Sequence, residues 1–146
     1  MEIAVLALGC FWGPEIKFGK LEGITKTEVG YCGGNSDTTT YEKVCSGKTD
    51  HAEVVRIEFD PKKISYEKIL QYFFEIHDPT TLNAQGPDIG TQYRSEIFYL
   101  NEYQMKIAEN IIEANNKKLS GKVVTKLSKI KNYCKAEDYH QKYLEK

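Results

Sequence analysis

Six consecutive apolar residues, Ile3-Ala4-Val5-Leu6-Ala7-Leu8, constrain this chain more than any other stretch. A run of that length without alternation suits a strand buried on both faces, and so a central place in a sheet. It ends at Gly9-Cys10-Phe11-Trp12-Gly13, after which Pro14, Glu15, Ile16, Phe18 and Leu21 read as the first turns of a helix. Proline is favoured at the first helical position and acidic residues in the first turn. Cys10 is therefore expected where a central strand gives way to a helix N-terminus. Unpaired backbone N–H groups and the positive end of the helix dipole favour an anion there. A thiol so placed should ionise below its free value of about 8.5, giving a nucleophile at neutral pH. Phe11 and Trp12 would wall an apolar pocket beside the sulfur. On the residues alone, a small buried hydrophobe is an equally good description of Cys10.

The other elements follow in turn. Residues 25–31 have β-type composition and run into the loop Cys32-Gly33-Gly34-Asn35-Ser36-Asp37. Residues 38–45 form a short helix candidate closed by Ser46-Gly47. Val55, Ile57 and Phe59 alternate with Arg56 and Glu58, the pattern of a half-buried strand over 54–59. Ser65 caps a predicted helix with Tyr66, Ile69, Leu70, Phe73 and Phe74 on one stripe, stopping before Pro79. Residues 80–91 are polar and aperiodic, and loops of that length are usually functional or disordered. A strand at 95–100, a helix after Asn101, a weaker strand at 122–130 and a terminal helix over 133–146 complete the order. One continuous strand among alternating ones predicts an α+β fold, a two-layer sandwich with a mixed sheet and helices mainly on one face. Its 146 residues suit a single catalytic domain, 1–146.

Twenty basic residues against twenty-one acidic ones leave a net charge of −1. No field of either sign recruits nucleic acid or an anionic membrane, and no apolar run is long enough to span a bilayer. No secretion leader is expected at the start. Four cysteines without a CxxC fit a reducing, cytoplasmic setting in which thiols do chemistry.

Glu53 directly precedes an apolar strand, where partial desolvation would raise its pKa and let it hold a proton near neutrality, although on the residues alone an exposed strand-end glutamate is the plainer reading. His51-Ala52-Glu53 is half of a zinc deaminase signature, but the Pro-Cys-x-x-Cys half is missing. His77 or His140 could serve a cysteine hydrolase as base. Beside Asp78, however, His77 suits a structural cap, and His140 in a polar terminal helix suits a solvated role. Tyr41 and Tyr93 could aim hydroxyls at one pocket, and Asp88 could equally make a plain Asx turn.

Taken together, Gly9-Cys10-Phe11-Trp12-Gly13, Gly30-Tyr31-Cys32-Gly33-Gly34, Tyr41 to Gly47, His51 to Val55, Phe59-Asp60-Pro61, His77-Asp78-Pro79-Thr80, Gln92-Tyr93-Arg94-Ser95 and Ala136 to Gln141 resemble, in order, the A-type peptide methionine sulfoxide reductases. The resemblance implies a ferredoxin-like core, no metal or organic cofactor, and reduction of methionine S-sulfoxide, free or in oxidised proteins. It implies Cys10 as nucleophile, Glu53 as acid, Tyr41 and Tyr93 as hydrogen-bond donors to the sulfoxide oxygen, Phe11 and Trp12 as holders of the methyl group, and Asp88 as an organiser of the loop. A sulfenic acid on Cys10 would follow. Many members carry recycling cysteines on a glycine-rich tail that this sequence does not show. Resolution would then use Cys134 first, for its flexible C-terminal position, or Cys32 second, or a thioredoxin-like dithiol. A monomer is expected. Asp50 stands where glycine is usual and would push Glu53 up further.

Overall fold

The structure is a computed structural model that describes residues 1–145. In chain order its elements are β1 (Glu2–Leu8), α1 (Trp12–Gly19), β2 (Ile24–Cys32), α2 (Tyr41–Cys45), β3 (Ala52–Phe59), α3 (Tyr66–Glu75), β4 (Ala84–Gln85), β5 (Asp88–Ile89), β6 (Ser95–Tyr99), α4 (Glu102–Lys118), β7 (Lys126–Lys129) and β8 (Cys134–Lys135). The main sheet runs β7-β6-β1-β3-β2-β8, while β4 and β5 form a ladder of their own. Its neighbours are antiparallel except β6 and β7, which are parallel, so the sheet is mixed and the fold is α+β.

The apolar run is explained by the place of β1 in that order. Ala4, Leu6 and Leu8 face the helices, where Phe18 of α1, Ile69, Leu70 and Phe73 of α3 and Ala108 and Ile111 of α4 cover them. Val5 and Ala7 face the other way, packed with Val54, Cys32 and Phe98. Neither face meets water, so neither carries a polar residue. The stripe of α3 is buried as its spacing predicts, and each such side chain contributes about 1.5–3 kcal/mol. Ser65 caps α3 by accepting the Lys68 N–H at 3.1 Å, and Asn101 caps α4 by accepting the Gln104 N–H at 2.9 Å.

Several expectations need correction. Helix α1 starts at Trp12, placing Pro14 at its third position, where a missing N–H is still harmless because the first turn has no partner for it. The loop over 80–91 contains the β4–β5 ladder and a 3-10 turn over Thr91–Tyr93. The late strand is confined to β7. No terminal helix forms over the described part of 133–146, and Lys146 lies outside the described residues. That stretch gives β8 and two single 3-10 turns, Asp138–His140 and Tyr143–Glu145. Its backbone and side chains bond to the sheet instead: the Ala136 N–H donates to Val29 O at 3.0 Å, and the Gln141 side chain bonds both the N–H and the carbonyl of Val29 at 2.9 Å. Among the described residues no helix is long and apolar enough to cross a membrane.

Candidate active site

Cys10 lies between the end of β1 and the start of α1, half-buried. Gly9 before it has φ +101°, and a Cβ there would come within 2.7 Å of the Gln85 side chain. Only glycine supplies that backbone and that closeness. The β4–β5 hairpin is thereby packed against the turn that carries the thiol. Gln85 also fixes the hairpin to Asp78, bonding its N–H at 2.9 Å and its carbonyl at 2.6 Å.

The thiol does not behave as its place at a helix start predicts. The Trp12 backbone N–H bonds the sulfur and favours the thiolate, but desolvation outweighs it, and the charges of Glu53, Asp88 and Cys45 add to the effect. The thiol is pushed up to about 11. A helix terminus contributes only about 0.3–1 kcal/mol at an exposed site, which burial exceeds here. At neutral pH the sulfur keeps its proton.

Glu53 behaves as expected, and more strongly. It sits on the helix-covered face of β3, opposite Tyr31 in register, and is 1% exposed. Its Oε1 accepts the Phe11 backbone N–H at 3.3 Å, while Oε2 has no partner among the described residues. Burial pushes the carboxyl up to about 8, with the Phe11 bond opposing and the Asp88 charge assisting. Asp50 is not the charge responsible. It is exposed, 4.0 Å from the buried Arg94 guanidinium, which also donates to the Asp50 carbonyl at 3.1 Å.

Tyr41 opens α2 and Tyr93 ends the 3-10 turn before β6, two elements that the sheet brings to one end of the fold. Burial raises the Tyr41 phenol, helped by a bond to Cys45 and by the charge of Glu53. Burial likewise pushes Tyr93 up to about 12, with the charges of Glu53, Cys45, Asp88 and Cys10 adding. Cys10, Glu53, Tyr41, Tyr93 and Asp88 thus lie close enough to feel one another. Among the described residues, no set of three His, Cys, Asp or Glu side chains gathers as metal ligands. A separate groove of about 310 Å³, lined by Leu21, Lys63, Ile64 and Tyr72 among others, contains no cysteine.

The histidines and the remaining thiols are placed differently from expectation. His140 is buried rather than solvated: its Nδ1 accepts the Trp12 indole N–H at 3.1 Å, and its ring lies 5.3 Å from Phe11 and 4.4 Å from Tyr41. Tyr143, which no sequence pattern singles out, stacks on Trp12 with ring centroids 4.0 Å apart and 15° between planes. His77 bonds Phe73 O at 2.5 Å and Ser95 Oγ at 2.8 Å, and burial pushes it down to about 4. His51 bonds Ser36 O at 2.8 Å and packs so tightly on Gly34 that a Cβ there would meet its ring at 2.1 Å.

Cys134 is not on a flexible segment. It is held in β8 opposite Tyr31, so Glu53, Tyr31 and Cys134 form one row across three strands. Two strand spacings, about 9.5 Å, separate its ends. Cys32 is not in a loop but ends β2, fully buried on the opposite face, with its thiol on Lys131 O at 3.3 Å. The cysteine whose charge reaches Cys10 is the exposed Cys45 at the end of α2.

The fold is shared with known proteins. The family model described as peptide methionine sulfoxide reductase matches residues 2–146. A peptide methionine sulfoxide reductase MsrA of Pelagibacter ubique (strain HTCC1062) is 73% identical over 146 residues, covering all of this chain and 99% of its own length. The crystal structure of Mxr1 from Saccharomyces cerevisiae in reduced form is similar with a TM-score of 0.94 at 41% identity, over 99% of this chain and 84% of that one. Mxr1 in complex with Trx2 matches with a TM-score of 0.70 at 29% identity, over 97% of this chain and 84% of that one. A buried carboxylic acid beside a half-buried thiol, in a sheet shared with those proteins, has one consistent account: the chain belongs to the peptide methionine sulfoxide reductase family and is a methionine sulfoxide reductase.

Proposed function

We propose that Cys10 attacks the sulfur of methionine S-sulfoxide while Glu53 protonates the sulfoxide oxygen. The observation that carries this reading is the placement of the pair: Cys10 in the turn after β1, and the buried Glu53 carboxyl bonded to the N–H of the next residue, Phe11, at 3.3 Å. A sulfoxide oxygen leaves poorly unless it is protonated, so the acid is indispensable. Glu53 gives its proton to that oxygen and takes the thiol proton in exchange, so no net charge builds up in the buried site. The attack makes a bond between the Cys10 sulfur and the substrate sulfur; the S–O bond then breaks as the hydroxyl passes to the Cys10 sulfur, and the sulfur–sulfur bond breaks with its electron pair left on the substrate. Methionine departs, and Cys10 is left as a sulfenic acid, having lost the electron pair that the substrate sulfur gained. Tyr41 and Tyr93 donate hydrogen bonds to the oxygen, Phe11 and Trp12 hold the methyl group and select the S epimer, and Asp88 orders the hairpin beside the thiol.

Bridging two cysteines needs Cα atoms within about 7 Å, so Cys134 and Cys32 would each have to leave a strand to resolve the sulfenate. An external dithiol of the thioredoxin kind fits better, and Mxr1 forms a complex with Trx2. The whole chain is read as one catalytic domain working in a reducing compartment, and the strand order β6-β1-β3-β2 with α1 and α3 as crossovers supports a ferredoxin-like core. Incubation with methionine S-sulfoxide and dithiothreitol should release methionine, and Cys10→Ser should release none above background. A Cys10→Ser enzyme that turns over normally would end this reading.

A further inference from the structure

Glu15 is a buried carboxylate that the proposed chemistry does not use. It lies on α1, is 2% exposed, and bonds to the C-terminal segment. Its Oε1 accepts the Lys142 backbone N–H at 2.7 Å. Its Oε2 accepts the Thr27 hydroxyl at 3.0 Å and the Lys142 ammonium at 3.0 Å. That ammonium also donates to Thr27 O at 2.8 Å and approaches Thr27 Oγ1 at 3.1 Å. Lys142 is held at φ +53°, a left-handed conformation uncommon for a residue with a side chain.

The residues flanking this knot both touch one indole. Two positions earlier, His140 accepts the Trp12 N–H, and one position later Tyr143 lies flat on the Trp12 ring. Trp12 and Glu15 are three apart on α1, and so on neighbouring points of one helix face. The helix that presents Trp12 therefore also grips the segment that immobilises it. Glu15 is buried while the Lys142 side chain stays about half exposed, so the knot draws a surface lysine onto an interior carboxylate.

We propose that Glu15 is a positioning residue, a latch on Lys142 that sets His140 and Tyr143 against Trp12 and so fixes the wall that receives the substrate methyl group. The inference rests on the role assigned to Trp12 above. It places Glu15 in substrate binding and not in proton transfer, which belongs to Glu53 on a different element.

Trp12 is the single tryptophan of the chain, so its fluorescence reports the latch directly. Glu15→Gln should shift Trp12 emission to the red and open it to acrylamide quenching. It should raise half-saturating methionine sulfoxide about tenfold, ~1.4 kcal/mol, with the maximal single-turnover rate within about twofold of wild type. Lys142→Gly keeps the backbone N–H and relieves the left-handed φ, so it should fold even where Glu15→Gln does not, with a smaller shift in the same direction. Lys142→Arg should restore the wild-type values. Tyr143→Ala combined with Glu15→Gln should lose less than the sum of the two single variants, since the latch acts in part through that ring. Unchanged emission and half-saturation in both Glu15→Gln and Lys142→Gly would overturn the proposal, and so would additive losses in the double variant. A wild-type enzyme that makes no methionine would refute the chemistry proposed for Cys10, whereas the emission of Trp12 judges the latch independently.

Discussion

The two walls of the site are held by opposite means. On one side β1 and β3 pair in continuous register from Glu2↔Phe59 to Leu6↔Val55, and β1 pairs β6 from Val5↔Phe98 to Leu8↔Ser95. On the other side, residues 136–143 form no long ladder and depend on particular side chains. Glu137 accepts the Tyr31 hydroxyl at 2.8 Å and the Tyr41 N–H at 2.9 Å, Gln141 straddles Val29, and Lys142 is tied to Glu15. A ladder is made by main-chain groups that every residue but proline carries, so it tolerates exchange of one apolar side chain for another. A strap made of side-chain bonds does not, because each bond needs one residue type at one place. The laddered wall carries Cys10 and Glu53, and the strap carries aromatic rings.

The largest effect expected is from Glu53→Gln, which removes chemistry and leaves both walls standing. Reduction should fall by about 10²–10⁴-fold, the usual weight of general acid assistance, measured as methionine released in a single turnover. Stability should move the other way. Between the ordinary value of 4.5 and about 8, folded Glu53 binds a proton that the unfolded chain has already released, so wild-type stability falls as pH rises through that window. Urea midpoints should coincide for the two proteins near pH 4, and Glu53→Gln should be the more stable near pH 8. Coincident midpoints across the whole range would show that Glu53 does not hold its proton.

An intermediate effect is expected from Glu137→Ala, which loosens the strap alone. It strands the Tyr31 hydroxyl and the Tyr41 N–H, at a cost of about 1–3 kcal/mol if neither finds water. Amide exchange should accelerate over 138–143 while the amides of β1 stay protected. Equal acceleration in β1 would show that the two walls are not held separately. The smallest effect belongs to Lys106→Ala, which breaks an exposed pair with Glu102 at 3.5 Å. A solvated ion pair of this kind is worth about 0–1 kcal/mol, so the unfolding midpoint should scarcely move. A large shift would mean that burial is not what gives the strap its weight.

The same division governs what the sequence discloses. Ile3 to Leu8, the stripe of α3 and the alternation of Val55, Ile57 and Phe59 are legible because period and polarity report directly on burial. The place of Glu53 at a strand mouth allows a desolvated acid, but an exposed strand-end glutamate reads the same way, and it is the family resemblance that singles it out. His140 and Tyr143 are not legible, because their partners are Phe11 and Trp12, more than a hundred residues away, and a polar stretch looks the same whether its side chains meet water or a buried carboxylate. The apparent terminal helix fails for that reason: Glu137, Gln141 and Lys142 bond the sheet and α1, and Lys142 turns left-handed. The thiol pKa was misjudged because a helix N-terminus is visible in a sequence and the depth of its burial is not.

Hydrogen peroxide consumes cysteines through their anions, and an un-ionised sulfhydryl reacts with it sluggishly. With Cys10 held near 11, almost none of it is anionic at cellular pH while the enzyme is idle. Cys10 should therefore be oxidised slowly by hydrogen peroxide near neutral pH, and faster as the pH approaches that of its ionisation.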